Sequence, residues 1–228
     1  MKNPSESRIA IIAALPGELK PLVQGWQQTE QHVWTGSLAG HPCMAIAGGI
    51  GAAAATHAAE HAQAEFRPDV LVSYGWAGAL TCALKPGMAC GISEVIDAAT
   101  GRHFATANPS GTRLLTLDHV ARSDEKRKLA ERHQTVIVDM EAAAVARFAA
   151  DHQIPFHCFK GISDGYNEKL PDFNNFIDSG GRLRMMAFLL HVAVHPQYWG
   201  SLQRLGKMSR ISASGLARLA PDALRESL

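Results

Sequence analysis

Short, largely apolar runs, several closed by a glycine or proline and several followed by a helical stretch, limit this chain to very few folds. Ile9 to Leu15 is wholly apolar, so as a strand it must be covered on both faces. Pro16 suits the first turn of a helix reaching Leu22. Val33 to Leu38 and Pro42 to Ala47 read as strands joined by a turn at Ala39-Gly40. Gly48-Gly49-Ile50-Gly51 opens an alanine-rich helix to about Phe66, and Asp69 to Tyr74 is a further buried strand ending in Gly75-Trp76-Ala77-Gly78. Met88 to Ala98 and Leu114 to Leu117 are strand candidates. Ser123 is placed to cap a charged helix to His133. Val136 to Val138 is a strand, Met140 to His152 a helix, Pro155 to Ile162 a strand, and Asn174 to Val194 a long helix. Strands alternating with helices predict an α/β fold, a three-layer sandwich around a central mixed, mainly parallel sheet.

The chain has 228 residues, enough for one sizeable core, and no linker marks a second domain. Residues 1–194 are expected to form the main domain and 195–228 a basic helical extension of it. A net charge of +1 gives no global attraction for nucleic acid. Cys43, Cys82, Cys90 and Cys158 are scattered, against a disulfide framework or zinc cage and in keeping with a reducing cytoplasm. The polar start before Ile9 does not read as a signal peptide. Met185 to Val194 falls short of the roughly 20 residues that span a bilayer.

Two acids stand out. Glu141 begins a helix directly after a strand, and Asp164 closes the next strand. Strand carboxyl ends line the ligand crevice of an α/β sheet, so both can face one pocket. A carboxyl with raised pKa can protonate a leaving group. An ionised one can accept hydrogen bonds from two hydroxyls. The competing reading is a dipole-favoured first-turn glutamate and an ordinary turn aspartate.

The segment Val138-Asp139-Met140-Glu141 with its small-residue helix, Pro155-Phe156, and Ile162-Ser163-Asp164 resembles the signature of the purine nucleoside phosphorylase and methylthioadenosine/adenosylhomocysteine nucleosidase superfamily. Gly49-Ile50-Gly51 and Gly75-Trp76-Ala77-Gly78 extend the likeness over nearly the whole core. The resemblance implies that Asp164 protonates a departing purine with Ser163 beside it. It also implies that Glu141 holds the ribose diol and Met140 packs on the sugar. Gly51, Gly75, Trp76 and Val120 become candidate substrate contacts. A small nucleoside ligand, a homodimer, and no metal or organic cofactor are expected.

The attacking group is open. In the nucleosidase branch a glutamate after the first strand activates water, which here is Glu18. The phosphorylase branch surrounds a phosphate with arginines. This chain has none between Arg8 and Arg67, and Ser73 at one such position. Inorganic phosphate as co-substrate could still rest on the Gly49 to Gly51 amides, helped by Lys20.

Departures suggest the substrate. Trp76 replaces a usual serine, Val120 stands where an aromatic ring stacks on the purine, and the stretch from Val95 to Leu114 is short. Arg182, Arg184, Arg204, Lys207, Arg210, Arg218 and Arg225 face only Asp222 and Glu226 in the tail. Leu202, Leu205, Met208 and Ile211 recur three apart, a pattern for a helix on an anionic membrane or on its own core. His195-Pro196-Gln197-Tyr198-Trp199 and the basic end are similar to hopanoid-associated phosphorylases, which implies adenosylhopane as substrate and peripheral membrane contact. Methylthioadenosine/adenosylhomocysteine cleavage and a non-catalytic nucleoside- or lipid-binding role are the alternatives.

Two further motifs carry less. Gly49-x-Gly51-x-x-Ala54 follows the third strand rather than the first, and Asp69 begins its strand, against dinucleotide binding. His57-x-x-Glu60-His61 has zinc-ligand spacing but no clear third ligand.

Overall fold

The computed structural model describes residues 7–108, 110–168, 171, 173–176 and 194–227. Ten strands form one mixed sheet: β1 (Ile9–Ala13), β2 (Gln27–Glu30), β3 (Val33–Leu38), β4 (His41–Ala47), β5 (Val70–Ala79), β6 (Ala89–Asp97), β7 (His103–Ala105), β8 (Thr112–Thr116), β9 (Ile137–Asp139) and β10 (Phe156–Asp164). Helices α1 (Pro16–Leu19), α2 (Ala52–Glu65), α3 (Lys126–His133), α4 (Ala142–Asp151) and α5 (Trp199–Ser227) cover it.

β1 shows why two covering layers are needed. Ala10 and Ile12 pack with the alanines of α2 and α4 on one face. Ile9, Ile11 and Ala13 pack on the other with Leu19 of α1 and Leu216, Ala220 and Leu224 of α5. A smaller cluster under α3 joins Leu115, Leu117, Val138 and Ala130.

β4, β1, β5 and β10 run parallel in that order, whereas β9 runs against β5 and β6 against β10. β5 is long enough to pair β1 and β9 along one edge and β10 along the other. The sheet therefore closes on itself through β5, β10, β6, β8 and β9. The parallel share is smaller than the alternating pattern suggests, because β6, β8 and β9 return in the opposite sense.

Several local expectations are corrected. β2 is exposed at every residue, and β7 has only three residues, so neither carries a hydrophobic period. Ser123 does not cap α3; Glu125 holds the N-cap position. α1 is one turn long, ending at Leu19 rather than Leu22. The helix expected from Asn174 to Val194 lies almost wholly outside the described residues, as do Arg182 and Arg184; Phe173–Phe176 forms a 3-10 turn. On α5 the buried face is Ser209, Ser212, Ala213, Leu216, Ala220 and Leu224, while Ile211 is exposed. The helix docks by small residues: a Cβ on Gly161 of β10 would stand 2.9 Å from the Ser212 side chain.

Candidate active site

The parallel strands β1, β5 and β10 bring three carboxyl ends to one edge, and β9 reaches it from the opposite direction through the register Gly78↔Val138. A cavity of about 250 Å³ opens there. Glu18, Trp76, Val120, Met140, Glu141, Ser163 and Asp164 all line it, with Leu205 and Ser209 of α5 forming one wall.

Glu18 follows β1 through the tight turn Leu15-Pro16-Gly17 and is buried. Its Oε2 accepts from the amides of Ala14 (2.8 Å) and Leu15 (2.7 Å), and Oε1 from the amide of Trp76 (2.7 Å). Burial nevertheless raises its pKa, the three amides and the Lys160 charge opposing. Three of about four acceptor positions are filled, which leaves one for a water in the cavity. Gly75 stands behind this carboxylate: an added Cβ would lie 2.5 Å from Oε1. Its place is to make room for Glu18, not to line the cavity.

Glu141 holds the N-cap position of α4 without capping it. That task falls to Asp139, whose Oδ2 accepts from the Ala142 amide at 2.9 Å. Glu141 Oε1 instead accepts from the Gly51 amide at 2.7 Å, tying the α2 entry to the site. Its pKa is pushed up to about 8, first by burial and then by the Asp139 charge, against Lys160 and the Gly51 bond. Gly51 therefore supports Glu141 rather than facing the cavity.

Asp164 Oδ1 accepts from Ser163 Oγ at 2.7 Å, and Oδ2 from Lys126 Nζ at 2.5 Å. Lys126 is only 2% exposed. Nothing in the sequence singled it out, because it sits in a run of charges that reads as a solvated face. Lys160 and Asp139 form a second pair at 2.9 Å. Burial works against the Lys160 ammonium, but Asp139, Cys158 and Glu141 together outweigh it and hold its pKa above the ordinary value. A lysine within the apolar run Phe156 to Ile162 was a usable signal, since such a cation needs a buried partner. His119 also lines the cavity; hydrogen bonds to Asp118 (2.7 Å) and Glu125 (3.2 Å) raise its pKa despite partial burial.

The family model described as Phosphorylase superfamily matches residues 8–122 and 110–193. The chain belongs to the phosphorylase superfamily. Solved structures share the fold. A mutant of the Helicobacter pylori methylthioadenosine nucleosidase, with 5′-methylthioadenosine in its active site, is similar at a TM-score of 0.72 and 14% identity, over 96% of this chain and 99% of that one. The 5′-methylthioadenosine/S-adenosylhomocysteine nucleosidase of Neisseria meningitidis, with methylthio-immucillin-A, gives 0.70 and 18%, over 96% and 99%. The futalosine hydrolase of Helicobacter pylori gives 0.72 and 14%, over 96% and 98%. No curated protein sequence matches the chain.

Within this phosphorylase-superfamily cavity, Lys126 is the single lysine or arginine lining it among the described residues. His57 and His61 lie apart from it and pair with Glu60 and Glu30, each at 3.6 Å. No group of three metal-ligating side chains occurs among the described residues.

Proposed function

We propose that this superfamily member hydrolyses the N-glycosidic bond of an adenine nucleoside. The observation that carries the reading is the convergence of Glu18, Glu141 and Asp164 on one cavity, each from a different strand end. Asp164 serves the departing purine, assisted by Ser163. Glu141, ionised, accepts from the ribose 2′- and 3′-hydroxyls, and Met140 packs on the sugar. Glu18 accepts a proton from the attacking water, whose oxygen bonds to the anomeric carbon as the bond pair leaves with the purine. Val120 contacts the base and Trp76 the 5′ side.

Water is favoured over phosphate on two grounds. No arginine lines the cavity among the described residues, and the Gly51 amide that could cradle an anion is engaged by Glu141. The 5′ wall of Trp76 and Leu205 suits an apolar substituent, with adenosylhopane the preferred substrate and methylthioadenosine the alternative. Peripheral contact with an anionic membrane is supported by α5, where Arg204, Lys207 and Arg210 are exposed beside exposed Trp199 and Ile211. No helix among the described residues is long and apolar enough to cross a membrane. Self-association as a cytoplasmic dimer completes the reading.

The test is adenine release from adenosine, 5′-methylthioadenosine and adenosylhopane, with and without phosphate, identifying ribose or ribose 1-phosphate. Free sugar without a phosphate requirement is expected, and Asp164→Asn should lower kcat about 10²-fold or more. Sugar 1-phosphate would sink the water mechanism. Binding of nucleosides without release of any purine would leave a non-catalytic protein.

A further inference from the structure

Lys126 opens α3, whose other cations Arg127, Lys128 and Arg132 are exposed. Its own side chain turns inward, donating to Asp164 Oδ2 at 2.5 Å and to the Gly165 carbonyl at 2.9 Å. The second Asp164 oxygen accepts from Ser163 Oγ at 2.7 Å. Gly78 closes the far side, where an added Cβ would stand 3.2 and 3.3 Å from the two oxygens. Both Asp164 oxygens thus have a polar partner, and one of those partners is an ammonium. A purine leaving with its bond pair must receive a proton, and the ammonium beside Asp164 carries one.

We propose that Lys126 is the proton reservoir for the departing base and that Asp164 relays its proton, so that the general acid is the pair. The inference rests on the purine-cleavage reading above. As the N-glycosidic bond breaks, its electron pair goes to the purine. An Nζ–H bond breaks and an Oδ2–H bond forms; that proton then passes to the imidazole nitrogen of the base. Lys126 is left neutral and regains a proton from solvent through the cavity. The departing purine, carrying the bond pair, is a base comparable in strength to an amine. An ammonium is therefore matched to it in a way that an isolated aspartic acid is not. Lys126 acts through Asp164 and is in that sense a positioning residue with a proton of its own to supply.

Two variants separate this from a merely ionic role. Lys126→Arg keeps the charge and the pairing, but a guanidinium does not release its proton. Lys126→Met removes both. With adenosine or 5′-methylthioadenosine at saturation, both variants are expected to lose about 100-fold in kcat at neutral pH, while Lys126→Arg keeps the wild-type melting temperature. On acidification the deficit of Lys126→Met should shrink, because solvent then supplies the proton that the missing ammonium does not. Lys126→Arg within about threefold of wild-type kcat across the pH range would overturn the proposal, as would a Lys126→Met deficit that does not change with pH. A wild-type chain releasing no purine would defeat the nucleosidase reading and this one together. A working wild type beside a near-normal Lys126→Arg defeats this one alone.

Discussion

Two buried lysine–aspartate pairs stand close to one another in this molecule and are built to different ends. Asp139 and Lys160 have side-chain exposures of 0% and 2%. Asp139 accepts from Thr116 Oγ1 (2.7 Å), the Ala142 amide (2.9 Å) and Lys160 Nζ (2.9 Å). Both partners belong to strands, β9 and β10. Asp164 and Lys126 have exposures of 13% and 3%, and both residues line the cavity. Asp139 lines the cavity as well, but its side chain has no exposed surface, so only the second pair presents its carboxylate to that space. A closed pair can hold backbone and set a field; an open one can exchange a proton.

The largest expected effect separates the two pairs by stability. Lys160→Met leaves the Asp139 charge without its cation in a closed interior and should cost about 3–5 kcal/mol in urea unfolding. Lys126→Met should cost less, about 1–3 kcal/mol, because Asp164 keeps 13% of its side chain exposed. Equal losses would break the comparison, since the second pair would then be structural as well.

A finer contrast uses the two hydroxyls. Thr116 Oγ1 donates to Asp139 and also accepts from the Ala143 amide at 3.1 Å, so Thr116→Val orphans a helix amide as well as a carboxylate oxygen. A loss of about 2 kcal/mol is expected, with kcat little changed. Ser163 Oγ shares its one proton between Asp164 Oδ1 (2.7 Å) and the Ala77 carbonyl (3.2 Å). Ser163→Ala should cost about 1 kcal/mol but lower kcat roughly tenfold, since it frees one oxygen of the relaying carboxylate. Thermal melts and steady-state kinetics on both proteins decide it. A kinetic loss confined to Thr116→Val would reverse the assignment of roles.

The contrast also explains what the sequence disclosed. Glu18, Glu141 and Asp164 were legible because each ends or follows an apolar strand, and strand ends converge whatever the details of topology. The closure of the sheet was not, since it depends on β5 being long enough to pair β1, β9 and β10 at once. Lys160 was half legible, a cation in an apolar run. Lys126 was hidden, because its neighbours Arg127 and Lys128 are solvated and only the packing of α3 over β8 and β9 turns one of the three inward. Gly51 and Gly75 were marked as contacts, yet each serves a carboxylate, a distinction that spacing cannot draw. The apolar stripe from Leu202 to Ile211 is divided, Leu205 lining the cavity and Ile211 being exposed, while α5 docks through the neighbouring face of Ser209, Ser212, Ala213 and Leu216.

Glu141 lies in the field of the Asp139–Lys160 pair: burial first and Asp139 next raise its pKa, and Lys160 lowers it. In the folded chain it titrates near 8, against about 4.5 when unfolded. Between those values the folded protein holds a proton that the unfolded chain has released, so each rise in pH favours unfolding. Stability from this group is complete below about pH 4.5 and gone above about 8. Glu141→Gln has no such proton to lose. Its melting temperature should match the wild type at pH 4 and exceed it by about 10 °C or more at pH 8. Its kcat/KM should fall about 100-fold, since the ribose hydroxyls lose their anionic acceptor. In the wild type the same titration gives a kcat/KM that climbs with pH to about 8, because the ionised form accepts both hydroxyls. A variant no more stable at pH 8 than at pH 4, relative to wild type, would mean that Lys160 and the Gly51 amide outweigh burial and Asp139 at this carboxylate. The closed pair would then be helping the site to ionise instead of resisting it.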